Sequence, residues 1–323
     1  MKQNSDNLIS NKSGTLYSII TPVYNEENNL HLLHARLIKV FAEIGDEYEW
    51  IIIDDHSSDS SYEIIKNLAT ENNNVYGMRL SKNYGSHRAI TAGLSIVKGD
   101  LAIVMASDLQ DPPETIPEMI NKWKTGTQIV WAVRNIRMGE TTLTKALSLF
   151  YYWIMRKVLG MKDLPETGAD FLLMDRTVIE ALKLFKESNM NIFSLLNWMG
   201  FKQDNILYDK QARLHGESGW TFRNKIKLLI DSVTSFSHFP IRFMTYMGIS
   251  IAFVGFLYAC FVFNNALSGI PIPGWSSLII VITLLGGLQL IMIGVLGEYL
   301  WRVLDESRRR PQFLIESSTE KDK

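Results

Sequence analysis

Residues 17–27 read YSIITPVYNEE and residues 50–59 read WIIIDDHSSD. Each starts as an apolar run of strand length and breaks into polar residues, and between them Leu30, Leu33, Leu37, Phe41 and Ile44 recur at helical spacing. That stripe can lie on a helix covering a sheet. The rhythm of Tyr17–Thr21 and Trp50–Ile53 continues at Val75–Arg79, Leu101–Ala106 and Gln128–Val133. Strands alternating with helices predict an α/β fold with a wound, mostly parallel sheet. In such sheets ligands gather outside the carboxyl ends of the strands, so the residues after each run are the ones to read for chemistry.

After the first run come Pro22, Tyr24, Asn25 and Glu26; after the second, Asp54, Asp55, Ser57 and Ser58. Aromatic, amide and carboxylate groups suit a planar base and a ribose, since carboxylates accept from ring N–H and hydroxyl donors. Asn25, Ser57 and Ser58 are equally suited to helix capping. After the fourth run comes ASDLQDPPE, residues 106–114. Asp108 and Gln110 offer hard oxygen ligands for Mg²⁺ or Mn²⁺ beside a diphosphate. Asp111 is placed to cap the helix that Pro112 and Pro113 open.

Beyond Arg134 the pattern changes to a long helical stretch at 141–160. A short strand at Phe171–Met174, another helix and a strand at Asn205–Tyr208 follow. Residues 222–238, FRNKIKLLIDSVTSFSH, place apolar groups on one side and read as a helix at a membrane surface; an ordinary core helix fits the same pattern. From Leu278 to Gly297 run 20 residues without a charge, about 30 Å of helix and enough to cross bilayer hydrocarbon. A second uncharged stretch, Met247–Phe263, extends back to Ile241 if Arg242 snorkels. Their connecting residues carry no Lys or Arg, while basic residues flank the outer ends, so both ends are expected in the cytoplasm. Gly286, Gly287, Gly294 and Gly297 would permit close helix packing, from which a homo-oligomer is expected. The domains read as a polar tail at 1–15, an α/β domain at 16–221, a juxtamembrane helix at 222–240, two membrane helices at 241–304 and a basic cytosolic tail at 305–323. No secretory signal precedes them, which leaves the front domain in the cytosol.

With 33 basic against 34 acidic residues, the chain has no bulk positive field, and nucleic acid is excluded as an expected partner. The single cysteine, Cys260, rules out an intrachain disulfide.

Taken in order, PVYNEE, DDHSSD, SKNYGSHRAITAGL, SDLQDPPE, TGADF, RLHGESGWT, GWSSL and GVLGEYLWR resemble the family-2 glycosyltransferases that load a sugar onto a polyprenyl phosphate. These include bactoprenol glucosyltransferases and, over the soluble part, dolichyl-phosphate mannose synthases. The resemblance covers about residues 16–313 and implies a GT-A fold, a nucleoside-diphosphate sugar donor and inverting transfer. It implies that Pro22, Tyr24, Glu26, Asp54, Asp55 and Asn83 contact the donor nucleotide, and that Asp108 and Gln110 hold Mg²⁺ or Mn²⁺ on its diphosphate. Arg134, Lys145, Arg213 and Ser218 fall where the family holds phosphate groups, and Asp170 lies in the segment facing the sugar. Asp108, Asp170 and Arg213 are thus the expected catalytic residues. The expected reaction carries a hexose, glucose first, from a UDP-sugar to undecaprenyl phosphate at the inner membrane for cell-envelope glycosylation.

Three positions depart from the family pattern. Ala106-Ser107-Asp108 stands where many relatives have Asp-Ala-Asp, His56 where a glycine is common, and Gly219 where a basic residue is common. The lost carboxylate keeps a second reading open, a membrane scaffold without activity. Other donors, GDP-mannose or UDP-GlcNAc, are also compatible with the motifs. His56, His87 and His215 form no zinc-site spacing and read as surface or packing residues.

Overall fold

The structure is a computed structural model, and it describes residues 14–135, 170–185, 187, 191–209, 211, 239–268 and 274–319. The expected helices at 141–160 and 222–238, and the candidate residues Lys145, Arg213 and Ser218, lie outside the described residues. Those described fall into two compact units, one containing residues 14–211 together with 311–319, the other residues 239–310.

The first unit is built on an eight-stranded sheet. In chain order its elements are β1 (Tyr17–Val23), α1 (Leu30–Ile44), β2 (Tyr48–Asp54), α2 (Ser61–Glu71), β3 (Val75–Leu80), α3 (Ser86–Ile96) and β4 (Leu101–Val104). A short 3₁₀ turn (Pro113–Thr115) leads into α4 (Ile116–Lys124), followed by β5 (Ile129–Arg134), β6 (Phe171–Asp175), α5 (Arg176–Lys183), α6 (Ile192–Trp198) and β7 (Gln203–Tyr208). The final strand, β8 (Ile315–Ser318), comes from the end of the chain. The spatial order is β7-β5-β6-β4-β1-β2-β3-β8. β6 runs antiparallel to both its neighbours and β8 antiparallel to β3, while the other pairings are parallel. This agrees with the mostly parallel α/β sheet expected, with β8 as an addition: residues 315–318 read as tail because IESS carries no apolar run.

Both faces of the sheet are covered, which is why its central strands are apolar at successive positions. On one face α1, α2 and α4 bury Leu33, Leu37, Phe41, Ile65 and Met119 over Ile19, Trp50, Ile52 and Ile103. On the other, α3, α5 and α6 bury Ile90, Ile179 and Leu195 over Ile20, Ile51, Ile53 and Val104. Each such side chain contributes about 1.5–3 kcal/mol by leaving water. Helix α3 comes in close because Gly93 has no side chain: a β-carbon there would lie 2.6 Å from Ile20 Cγ2. The expected stripe of α1 is observed, and Gly45 ends the helix in a left-handed conformation, its N–H donating to Phe41 O at 3.0 Å.

The second unit contains α7 (Phe239–Leu267) and α8 (Trp275–Ser307), which touch each other. Both are long and apolar enough to cross a membrane, over Phe239–Asn265 and Leu284–Ser307. Phe253, Phe256, Leu284, Leu290 and Ile293 are among the exposed side chains, an arrangement unfavourable in water for a helix pair and natural in lipid.

Candidate active site

The order of strands reverses between β1 and β4, the place where a wound sheet leaves a crevice at its carboxyl edge. Val23, Asp54, Val104 and Arg134 end strands on this rim, and because β6 is reversed, the residue before it, Asp170, arrives on the rim as well. Val104 pairs with Leu172 and Ala132 with Phe171, so Asp170 lies just past the end of β4 and level with the last residues of β5.

The loops after β1 and β2 are laced together. Asn25 N–H donates to Ser57 Oγ (2.9 Å), its side-chain oxygen accepts from Ser58 N–H (2.8 Å), and Glu26 N–H donates to Ser61 Oγ (2.9 Å). Asn25 and the two serines thus join loops and do not cap a helix. Asn25 and His56 both adopt positive φ, 57° and 64°. Glycine would be at ease at position 56; the His56 ring is held at this turn, donating from Nδ1 to Leu80 O at 3.1 Å.

Of the expected nucleotide contacts, Tyr24 is half exposed and Asn83 is exposed, while Glu26 accepts from Asn29 Nδ2 at 2.5 Å. Pro22 O accepts from Ser107 Oγ at 3.2 Å, which ties the ends of β1 and β4. Asp54 and Asp55 are enclosed. Asp54 accepts from Ser57 N–H at 3.1 Å and pairs with Arg79 at 3.2 Å; Asp55 accepts from the N–H groups of Tyr84 and Gly85, each at 2.7 Å. Burial pushes both carboxyls above the usual range, against the pull of these donors. Through these bonds both acids hold the loops, and Gly85, at φ 90°, accepts the turn that Asp55 grips.

Asp108 is 8% exposed and accepts from Gln110 N–H at 3.2 Å, across Leu109 held at φ 59°. Strain of this kind in a bulky residue at a strand end is characteristic of ligand sites. Gln110 is tied to Gln211, whose N–H donates to Gln110 O at 3.0 Å. Asp111 does not cap the 3₁₀ turn as expected: the side chain of Tyr208 donates to it, and the turn has no side-chain cap.

Arg134 donates to Asp170 Oδ1 at 3.0 Å. Burial opposes the guanidinium charge, yet Asp170, Tyr208 and Asp111 together hold its proton more firmly than usual. Burial, reinforced by Asp111, likewise drives the Tyr208 hydroxyl well above its ordinary range. His87, at the start of α3, meets Phe193 edge-on at 5.1 Å, and burial lowers its pKa to about 4, with Asp170 pulling the other way. Thus Asp108, Gln110, Arg134 and Asp170 share the rim. Arg79 and Tyr208 were missed in the sequence; the signal available was a polar side chain at or next to the end of an apolar strand.

The model of a protein family described as "Glycosyl transferase family 2" matches residues 18–183. The chain is 39% identical to an uncharacterized glycosyltransferase, YkcC, of Bacillus subtilis (strain 168), over 94% of each chain. It is 37% identical to the bactoprenol glucosyl transferase of Shigella phage SfV, over 94% of this chain and 99% of the other. Among solved structures, glucosyl-3-phosphoglycerate synthase from Mycobacterium tuberculosis, in complex with Mn²⁺, UDP-glucose and phosphoglyceric acid, superposes with a TM-score of 0.50 at 14% identity. That likeness covers 69% of this chain and 80% of the other, and it supports the GT-A fold.

Proposed function

The chain belongs to glycosyl transferase family 2, and from that premise we propose that it transfers glucose from UDP-glucose to undecaprenyl phosphate at the cytosolic face of the inner membrane. The observation that carries this reading is the meeting of Asp108, Gln110 and the Arg134–Asp170 pair on one rim. The bactoprenol glucosyl transferases matched over nearly their whole length support the acceptor and the sugar. Two helices long and apolar enough to span a bilayer suit an enzyme whose acceptor cannot leave it.

In this reading Pro22, Tyr24, Glu26, Asp54, Asp55 and Asn83 form the nucleoside side of the crevice, and Asp54 and Asp55 also fix its loops. Among the described residues no three His, Cys, Asp or Glu side chains come together as a metal cage. The donor set of Asp108 and Gln110 still fits Mg²⁺ or Mn²⁺, which complete their shells with diphosphate and water. When bound, that cation would offset charge on the departing UDP.

The acceptor phosphate, with a second pKa of about 6, arrives largely as a dianion and is itself the nucleophile. It attacks the anomeric carbon opposite the leaving group, so configuration inverts and no strong base is required. Arg134, with Lys145, Arg213 and Ser218, binds phosphate oxygens, for which the planar guanidinium is well matched. Asp170 accepts from a sugar hydroxyl and steadies Arg134.

The test supplies purified full-length chain in lipid nanodiscs with Mn²⁺, undecaprenyl phosphate and, separately, labelled UDP-glucose, UDP-GlcNAc or GDP-mannose. Label entering the lipid fraction from UDP-glucose is expected. Transfer from another donor alone corrects the sugar, and no transfer from any donor favours a silent scaffold.

A further inference from the structure

We propose that Glu316, on the strand that follows the second long helix in sequence, is a positioning residue for the donor site, acting through Arg79 on Asp54 and the loop after β2. The proposal rests on the donor-site reading above.

Three bonds fix the Arg79 guanidinium. Its Nη1 pairs with Asp54 Oδ2 at 3.2 Å, its Nη2 donates to Ser57 O at 3.1 Å, and its Nε donates to Glu316 Oε2 at 3.1 Å. It also lies over the Tyr62 ring at 5.1 Å. Asp54 is fully enclosed, so Arg79 is the cation balancing a carboxylate that water cannot reach. The same guanidinium holds the carbonyl of Ser57, whose side chain receives the N–H of Asn25 in the nucleoside-facing turn. Glu316 therefore sits at the outer end of a chain of contacts whose inner end is that turn.

Glu316 Oε2 also lies 3.3 Å from His56 Nδ1, the nitrogen that donates to Leu80 O, so the carboxylate reaches the same loop at the residue that carries positive φ, while Arg79 is its firm partner. The strand bearing it is anchored independently. Thr319 N–H donates to Gly77 O at 2.9 Å, Gly77 N–H donates to Thr319 Oγ1 at 2.8 Å, and the Tyr62 and Ser317 hydroxyls meet at 2.6 Å. Since β8 keeps these bonds without the carboxylate, losing the Glu316 charge should loosen Arg79 while leaving the strand in place.

The experiment measures UDP binding by calorimetry and steady-state transfer for the full chain in nanodiscs, comparing wild type, Glu316→Gln, Glu316→Asp and, as a surface control, Glu63→Gln. A half-exposed ion pair sets the scale, so Glu316→Gln is expected to weaken UDP about fivefold. The donor KM should rise by a similar factor with kcat nearly unchanged, Glu316→Asp should recover part of the loss, and the control should match wild type. A purely structural role would instead shrink the active fraction, lowering kcat at constant KM, and that result overturns the proposal. So does wild-type affinity in Glu316→Gln. If the wild-type chain itself binds no UDP, the donor-site reading fails, and the positioning role falls with it.

Discussion

Replacing Tyr208 with phenylalanine removes one oxygen from an enclosed polar contact near the rim. The Tyr208 hydroxyl donates to Asp111, a carboxylate with no exposed surface, and its ring meets Phe171 edge-on at 5.9 Å and 86°. Phenylalanine keeps the ring and its packing, so the variant removes only what the hydroxyl does, its bond to Asp111 and its contact with Arg134. A bond to a buried ionised acceptor is worth about 1.5–3 kcal/mol, most of it the cost of leaving the acceptor short of a donor. For a domain of this size, at about 2–4 °C per kcal/mol, the expected fall in apparent Tm is about 3–12 °C. Scanning the full chain in nanodiscs by intrinsic fluorescence, with wild type alongside, reads the shift directly. Transfer activity should also fall, because Asp111 follows Gln110 directly and lies close to Arg134. A shift below about 1 °C would refute the reasoning, since it would mean that water reaches Asp111 and replaces the hydroxyl.

Asp108→Asn should abolish transfer with apparent Tm unchanged, and chelation followed by Mn²⁺ should remove and restore wild-type activity; full turnover in either case would reject the cation assignment. Arg134→Ala should cost about 100-fold or more in turnover, with Arg134→Lys recovering only part because an ammonium cannot reproduce the planar fork, and near-normal rates in the alanine variant would refute its phosphate role. His87 is held neutral with its pKa lowered to about 4 from 6.5, so the unfolded chain binds its proton first on acidification. Its contribution is intact above pH 6.5 and lost progressively towards pH 4. His87→Gln should flatten the fall in apparent Tm across that window, and an unaltered slope would place the acid sensitivity elsewhere.

The central strands and α1 were readable from sequence because burial on both faces makes them continuous apolar runs, and their observed limits differ from expectation by a residue or two. β4 stops at Val104, not Ala106, where the chain turns to present Ser107 and Asp108. β8 could not be read that way, because IESS is a strand only by virtue of the β3 edge it pairs with. Within the site, Asp108, Asp170 and Arg134 stood out through motifs. Their meeting depends on the reversal of β6, which no local pattern announces. Asp54 illustrates the limit from the other side: the motif marked the residue, while its enclosure by Arg79 depends on a partner in the next strand.

The reversal of β6 has a further effect on how this scaffold can vary. β5 ends at Arg134 and β6 begins at Phe171, and Arg134 is clasped to Asp170 by an ion pair, so the two ends of the connection between these strands stand side by side. For a flexible connection between fixed ends, each doubling of length costs only about 0.6 kcal/mol in closure entropy. Mutation can therefore rebuild the stretch between those two posts without sliding any strand past its neighbour.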